Sequence, residues 1–275
     1  CMFHDASVSV IEDGNILFAG HSERYSRQKN DSYLNQDLVA EALSWGKPDV
    51  IVLHESSKLK KQRRIQQLNW SSIKSAFTEP TAEDWIKKFY PQLAGIPITN
   101  CLHHQSHAAA GMLTVPEDWN DAAIVTIDAI GEKQTATIST WQKNERIMLR
   151  HEVNFPNSLG LFYSAVTSAV GLKPMEDEYI LMGMAAYGEP KYKVKMDIHL
   201  FDHPADELHN CLKTIDMSKG LPKSFFNNID VEDEQTQFDL AASAQAVVEE
   251  RILSYCRLAF KYSSGSRNLV YQGGV

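Results

Sequence analysis

Several things are scarce in this chain, and each scarcity excludes a class of protein. Cysteine occurs four times in 275 residues, at Cys1, Cys101, Cys211 and Cys256, without CxxC spacing. A disulfide framework is therefore not expected, and reduced thiols suit a cytoplasm-like compartment. No apolar run approaches the ~20 residues that a membrane helix needs, and no signal peptide follows Cys1. Basic charge is in deficit: 27 Lys and Arg stand against 35 Asp and Glu, a net charge of −8. That balance argues against a general nucleic-acid binder. The single basic run, Lys58-Leu-Lys-Lys-Gln-Arg-Arg64, reads as a solvated helix face or a loop. What remains is 43% hydrophobic and 23% charged, a globular composition with ample core, and the length suggests about two domains.

The pattern along the chain is α/β. Ser7–Ile11 and Ile16–Gly20 are β-prone runs around Asp13-Gly14, a hairpin signal because the turn needs positive φ. Asn35–Trp45 has helical apolar spacing (Leu38, Val39, Ala42, Leu43) and stops at Gly46. Asp49–Leu53 is a short buried strand. Thr81 with Asp84 forms a capping-box pattern that opens a helix through Tyr90, ended by Pro91. A strand at Ile98–Leu102 and a histidine-bearing helix follow. The polar stretch Pro116–Asp121 is the best internal boundary, giving expected domains 1–120 and 121–275. Beyond it come strands at Ala122–Ile127, Thr135–Trp141 and Arg146–Val153, then helices at Ser158–Val170, Tyr179–Tyr187 and Phe238–Tyr262. The two halves open alike, with an acidic turn at His4-Asp5 in one and at Asp128 in the other. This reads as a duplicated domain with a cleft between the copies. Both ends read as cut: Cys1 is not an initiator methionine, and the strand Asn268–Tyr271 runs into Gly273-Gly274, where a fold is expected to continue.

The densest chemistry lies in Cys101-Leu-His-His-Gln-Ser-His107, followed by three alanines. His103 and His107 are four apart and share a helix face, roughly 6 Å apart at Cβ, a spacing that suits two imidazoles on one metal ion. A polar helix start meeting water is the plainer alternative. Ala108 to Gly111 leave room for a close neighbour. His4 is a candidate general base or part of an ordinary Asx turn. Asp128-Ala-Ile-Gly131 follows a buried strand, where backbone N–H groups can approach a phosphate while the carboxylate holds a cation; an ordinary turn is the alternative. Gly273-Gly274 can pass close to a nucleotide or simply turn the chain. Glu23-Arg24-Tyr-Ser-Arg27 is an anion contact or a solvated loop. In Glu178-Tyr-Ile-Leu-Met-Gly183-Met-Ala-Ala-Tyr-Gly188, a packed helix ends at Gly188, and Gly183 allows close approach of a ligand.

In their order these motifs are specific. The succession His4-Asp-Ala-Ser, Asp13-Gly14, Glu23-Arg24-Tyr-Ser-Arg27, His103-His-Gln-Ser-His107, Ile127-Asp-Ala-Ile-Gly131-Glu132, Phe155-Pro-Asn-Ser-Leu-Gly160, Glu178-Tyr…Met182-Gly183 and Gly273-Gly274-Val resembles the carbamoyltransferases of the nodulation-protein and antibiotic-tailoring type. The resemblance covers essentially the whole chain. It implies an actin-like ATPase fold of two RNase-H-like halves, the second incomplete here. It also implies a reaction: carbamoyl phosphate and ATP give carbamoyl-adenylate in a C-terminal domain, and the N-terminal module passes the carbamoyl group to a hydroxyl of a small acceptor. His103 and His107 would bind a metal, typically iron. The family's third metal ligand is an aspartate in a later glycine-rich segment that this sequence lacks. Asp128, Gly131, Glu132, Gly183, Gly273 and Gly274 would stand on the nucleotide side, with His4 as base for the acceptor. Ile180 stands where the family commonly has lysine. No membrane or nucleic-acid partner is implied. The rival readings are a sugar-kinase-like phosphotransferase and an inactive nucleotide-binding scaffold.

Overall fold

A computed structural model describes residues 5–66, 70–201 and 220–275. His4, Cys1 and Cys211 lie outside the described residues. The protein is mixed α/β and divides into two compact units, Cys1–Cys101 and Leu102–Val275.

In the first unit, β1 (Ser7–Glu12) and β2 (Asn15–His21) form the expected antiparallel hairpin. Its turn uses positive φ at both Asp13 (49°) and Gly14 (81°), which matches the right-handed twist of the strands. A one-turn helix, α1 (Ser22–Ser26), follows directly. The next helix, α2 (Gln36–Ser44), is capped by the Asn35 side chain, which accepts from the Asp37 and Leu38 N–H groups. It buries Leu38, Val39 and Ala42. Gly20 admits this packing, since a Cβ there would lie 2.4 Å from Leu38 Cδ1. Helices α3 (Ser57–Gln66), α4 (Trp70–Thr78) and α5 (Ala82–Phe89) come next, α5 opening with the reciprocal Thr81–Asp84 capping box. The basic run therefore sits on a helix. Strands β3 (Ile51–Leu53) and β4 (Ile98–Asn100) pair in parallel. A cavity of about 790 Å³ is lined by residues of both β1 and β3.

The second unit starts with the histidine helix α6 (His103–Met112) and then builds a four-stranded sheet. Strands β5 (Asp121–Ile127), β6 (Gln134–Gln142) and β7 (Met148–Asn154) form an antiparallel meander, and β8 (Leu269–Gln272) joins β5 in parallel, giving the order β7-β6-β5-β8. Ala122 through Ile127 of β5 are all buried, as befits a strand covered on both faces. Side chains alternate along a strand. Ala123, Val125 and Ile127 pack into the large core shared with α7 (Leu159–Ala169), α8 (Glu178–Ala185), α9 (Lys193–Leu200) and α10 (Glu234–Tyr262). Ala122 and Ile124 enter a smaller cluster with Val270 of β8 and Ala108 of α6.

Several expectations shift. The division between compact units falls after Cys101, not near residue 120, and so groups α6 with the second unit. The physical reason is the small face behind the histidines: Gly111 lies so near β8 that a Cβ would come within 2.5 Å of Val270 Cγ1. Helix α10 begins at Glu234, four residues before the apolar periodicity suggests, because the Asp233 carboxylate caps the Thr236 N–H. The close approach in the methionine-rich segment falls at Gly188, where a Cβ would meet the Phe238 carbonyl at 2.0 Å. Among the described residues no helix is long and apolar enough to cross a membrane.

Candidate metal centre

The alternation of β5 dictates which way Asp128 points. Asp128 keeps the ladder with β6, donating its N–H to the Thr135 carbonyl at 2.9 Å, and has the parity of Ile124, whose side chain enters the α6 cluster. Its carboxylate therefore meets α6. Asp128 Oδ2 lies 2.8 Å from His103 Nε2 and 3.2 Å from His107 Nε2, and the two imidazole nitrogens are 3.2 Å apart. His104, about 100° around the helix, turns to the sheet instead. It is 2% exposed, with Nδ1 3.3 Å from Thr137 Oγ1 of β6.

These separations permit a test of whether a metal fits. Three donors each ~2.1 Å from one ion stand ~3.0–3.4 Å apart at octahedral or tetrahedral angles. Two sides of the triangle, both 3.2 Å, lie in that range and the third, 2.8 Å, falls just short of it, and its donor set of two imidazoles and one carboxylate suits Fe, Zn or a similar divalent ion. Asp128, expected on the nucleotide side with its carboxylate holding a cation, is the residue that joins the two histidines in this cluster. The electrostatics agree. Burial opposes ionisation of Asp128, but hydrogen bonds from His103, His107 and the Ala129 N–H (2.7 Å) hold its carboxyl far below the ordinary range. Burial, reinforced by the charge of His103, pushes His104 down to about 4, so it is neutral at physiological pH.

The other predicted residues of this unit, Gly183 apart, surround the triad. Gly131 packs against the histidines, a Cβ there falling 3.0 Å from His103 Cβ and 3.1 Å from His104 Cδ2. Glu132, expected on the nucleotide side, is 2% exposed, and both its oxygens accept from the His103 backbone N–H at 3.1 Å. Gly273 (φ 113°) lies against β5, where a Cβ would meet the Ile127 carbonyl at 1.9 Å, and a Cβ on Gly274 would lie 3.1 Å from Asp128 Oδ1. Gly183 is not brought there: it is exposed on α8, and a Cβ at that position would meet nothing within 4 Å. Ile180, on the same helix, is 36% exposed. Two contributors went unassigned in the sequence. Ser158, the N-cap of α7, donates Oγ–H to the Ala129 carbonyl at 2.6 Å, and Gly160 lets the helix approach within 2.6 Å of Ala129 Cα at its Cβ position. The S/T-x-x pattern of an N-cap was the available signal; which loop it would touch was not. In the first unit Asp5, His21 and Glu23 also offer clustered ligand atoms, but Glu23 accepts the Asn30 N–H and is flanked by Lys29.

The family model described as "Carbamoyltransferase N-terminus" matches residues 1–275. The chain is 30% identical over 307 residues to "Uncharacterized protein sll1178" of Synechocystis, covering 99% of this chain and 49% of that protein. It is 28% identical over 187 residues to "Uncharacterized protein MJ1051" of Methanocaldococcus jannaschii, covering 68% and 32%. It is 24% identical over 294 residues to "Nodulation protein NolNO" of Sinorhizobium fredii, covering 99% and 40%. The chain thus spans half or less of the length of these curated relatives.

Proposed function

Because the chain belongs to the carbamoyltransferase N-terminal family, we propose that it carries the group-transfer step of a carbamoyltransferase. In this reading a carbamoyl group moves from carbamoyl-adenylate, made from carbamoyl phosphate and ATP by another part of the protein, to a hydroxyl of a small acceptor. The observation that carries the reading is the convergence of His103, His107 and Asp128 on one point. Two imidazoles, neutral when they coordinate, and a carboxylate would offer a divalent ion three ligands and leave further positions open. A bound ion, iron in this reading, would polarise the carbamoyl carbonyl as a Lewis acid.

The chain's own residues do the rest. Gly274 leaves the Asp128 Oδ1 side uncrowded, and the absence of a side chain at Gly131 lets the acidic turn close on α6. The acceptor hydroxyl oxygen bonds to the carbamoyl carbon as the bond from that carbon to the adenylate phosphate oxygen breaks. AMP leaves, and the hydroxyl proton passes to a base, the role proposed for His4. The fold proposed to house this chemistry is an actin-like ATPase pair of RNase-H-like halves. The meander with a parallel fourth strand in the second unit supports it, as does the hairpin that opens the first.

The test is made on the full-length protein. It should contain one tightly held transition-metal ion per chain and carbamoylate a hydroxyl acceptor from ATP and carbamoyl phosphate. His103→Ala and His107→Ala should each lose the ion and the transfer together. Full transfer by a His103→Ala, His107→Ala double variant would end the reading. A metal-independent transfer of phosphate from ATP to a sugar would favour the kinase-like alternative.

A further inference from the structure

We propose that Glu132 is the positioning residue of the metal centre, not a nucleotide contact: it fixes His103 from the backbone side and completes the charge balance for a divalent ion. This rests on the metal reading above. Helix α6 starts at His103, and its N-cap residue is Leu102, whose side chain has no oxygen to offer the first-turn N–H groups. Those groups are orphans in any helix. Glu132 supplies the acceptor from across the loop, with both carboxylate oxygens 3.1 Å from His103 N. A carboxylate that is 2% exposed is costly to bury without such partners, and the positive end of the helix favours its charge.

The geometry makes this more than a cap. One loop grips one residue twice: Asp128 takes the His103 imidazole at Nε2, and Glu132, four residues on, takes the His103 backbone. Gly131 lies between them against the His103 and His104 side chains, where a Cβ would have to displace His103 by tenths of an ångström. Asp128 holds the ring and Glu132 holds the backbone that carries it, so the His103 Cα stays where its ring can meet Asp128. Charge points the same way. Imidazoles coordinate an ion in their neutral form, so the two carboxylates would supply the −2 that balances a divalent ion in a site where all three ligand side chains are less than a third exposed.

The experiment is Co²⁺ and Zn²⁺ titration of the metal-stripped protein, comparing the wild type with Glu132→Gln, Glu132→Asp and Glu132→Ala, alongside thermal midpoints. Partners of metal ligands typically change affinity 10–100-fold when lost. Glu132→Ala should weaken binding by about that factor and shift the Co²⁺ ligand-field bands. Glu132→Gln, which keeps an acceptor but not the charge, should weaken Co²⁺ binding while leaving the His103 amide protected from hydrogen exchange. Variants that lose stability but bind metal as the wild type does would overturn the proposal, since a purely structural cap predicts that result. If the wild type binds no metal, the metal reading fails first; if it binds and all three variants bind equally, the positioning role alone fails. Should the variants not fold, amide exchange of the wild type with and without Co²⁺ decides: a clamp coupled to the ion requires Co²⁺ to slow the His103 amide further, and equal rates overturn the proposal. The His103 N–H, a first-turn amide, should exchange as slowly as those inside α6, and fast exchange would refute the clamp.

Discussion

Replacing Asp128 by asparagine separates the donor set from the ion pair it forms without metal. The amide keeps the shape of the carboxyl group and can still accept the Ala129 N–H now bonded to Oδ1 at 2.7 Å. It loses the charge that Oδ2 presents to His103 and His107 at 2.8 and 3.2 Å. A site reduced from three good ligands to two should weaken by at least about 100-fold, or ~2.7 kcal/mol. The consequence is measurable as metal-induced stabilisation. At a free metal concentration ~100 times the wild-type dissociation constant, binding stabilises the wild type by about 2.7 kcal/mol, whereas the variant, then near half-saturation, gains about 0.4 kcal/mol. For a folded unit of this size each kcal/mol moves the midpoint by roughly 2–4 °C. Calorimetric scans with and without Co²⁺ should therefore show a rise of about 5–11 °C in the wild type and only about 1–2 °C in Asp128→Asn. Equal rises in the two proteins, with His103→Ala abolishing the effect, would show that Asp128 is a neighbour of the site and not a ligand.

Four further outcomes are expected. His104 is buried and held neutral down to about pH 4, so the unfolded chain binds its proton first: stability is unaffected above about pH 6.5 and falls by up to about 3 kcal/mol between there and pH 4. Urea midpoints of the metal-free protein should drop more steeply over that window than those of His104→Gln, and parallel curves would count against it. Gly273→Ala, which drives a Cβ into the Ile127 carbonyl at positive φ, should cost roughly 3 kcal/mol or more, while Gly183→Ala on the open face of α8 should be neutral or up to ~1 kcal/mol stabilising; denaturant unfolding of the pair checks both. Asp197→Ala removes the carboxylate 3.0 Å from the fully buried Arg251, which also stacks on Phe201 at 3.6 Å, and should cost about 3 kcal/mol, with unchanged stability refuting the pair's role in the core. The 275-residue chain by itself should form no carbamoylated acceptor from ATP and carbamoyl phosphate, because making the adenylate is assigned to another part of the protein; mass spectrometry of the acceptor would reveal any turnover.

Local chemistry made much of the fold legible. Asp13-Gly14 set the β1–β2 turn because few residues tolerate positive φ at both positions,. The Thr81–Asp84 box and the Asn35 and Ser158 caps act within three residues of themselves, so their helices begin where the pattern places them. Where the signal was non-local, the reading slipped. The apolar period of α10 left out its first turn, which an aspartate cap stabilises without apolar contact. Nothing local separated Gly183, which faces open space, from Gly188, which lies against α10.

By itself the sequence determined the pair. His103 and His107 share a face because an α-helix has 3.6 residues per turn, which sets His104 about 100° around from His103. It also determined that Asp128 would follow a buried strand with the parity of Ile124. Only the tertiary structure decided that α6 covers that face of β5. Whether a strand's even or odd residues meet a given helix depends on contacts between residues far apart in sequence, here Gly111 and Ala108 against β8 and β5. That choice brought Asp128 from its turn to the two histidines and Glu132 to the start of the helix. Spacing along one element is set by backbone geometry; the meeting of two elements is set by which surfaces bury each other.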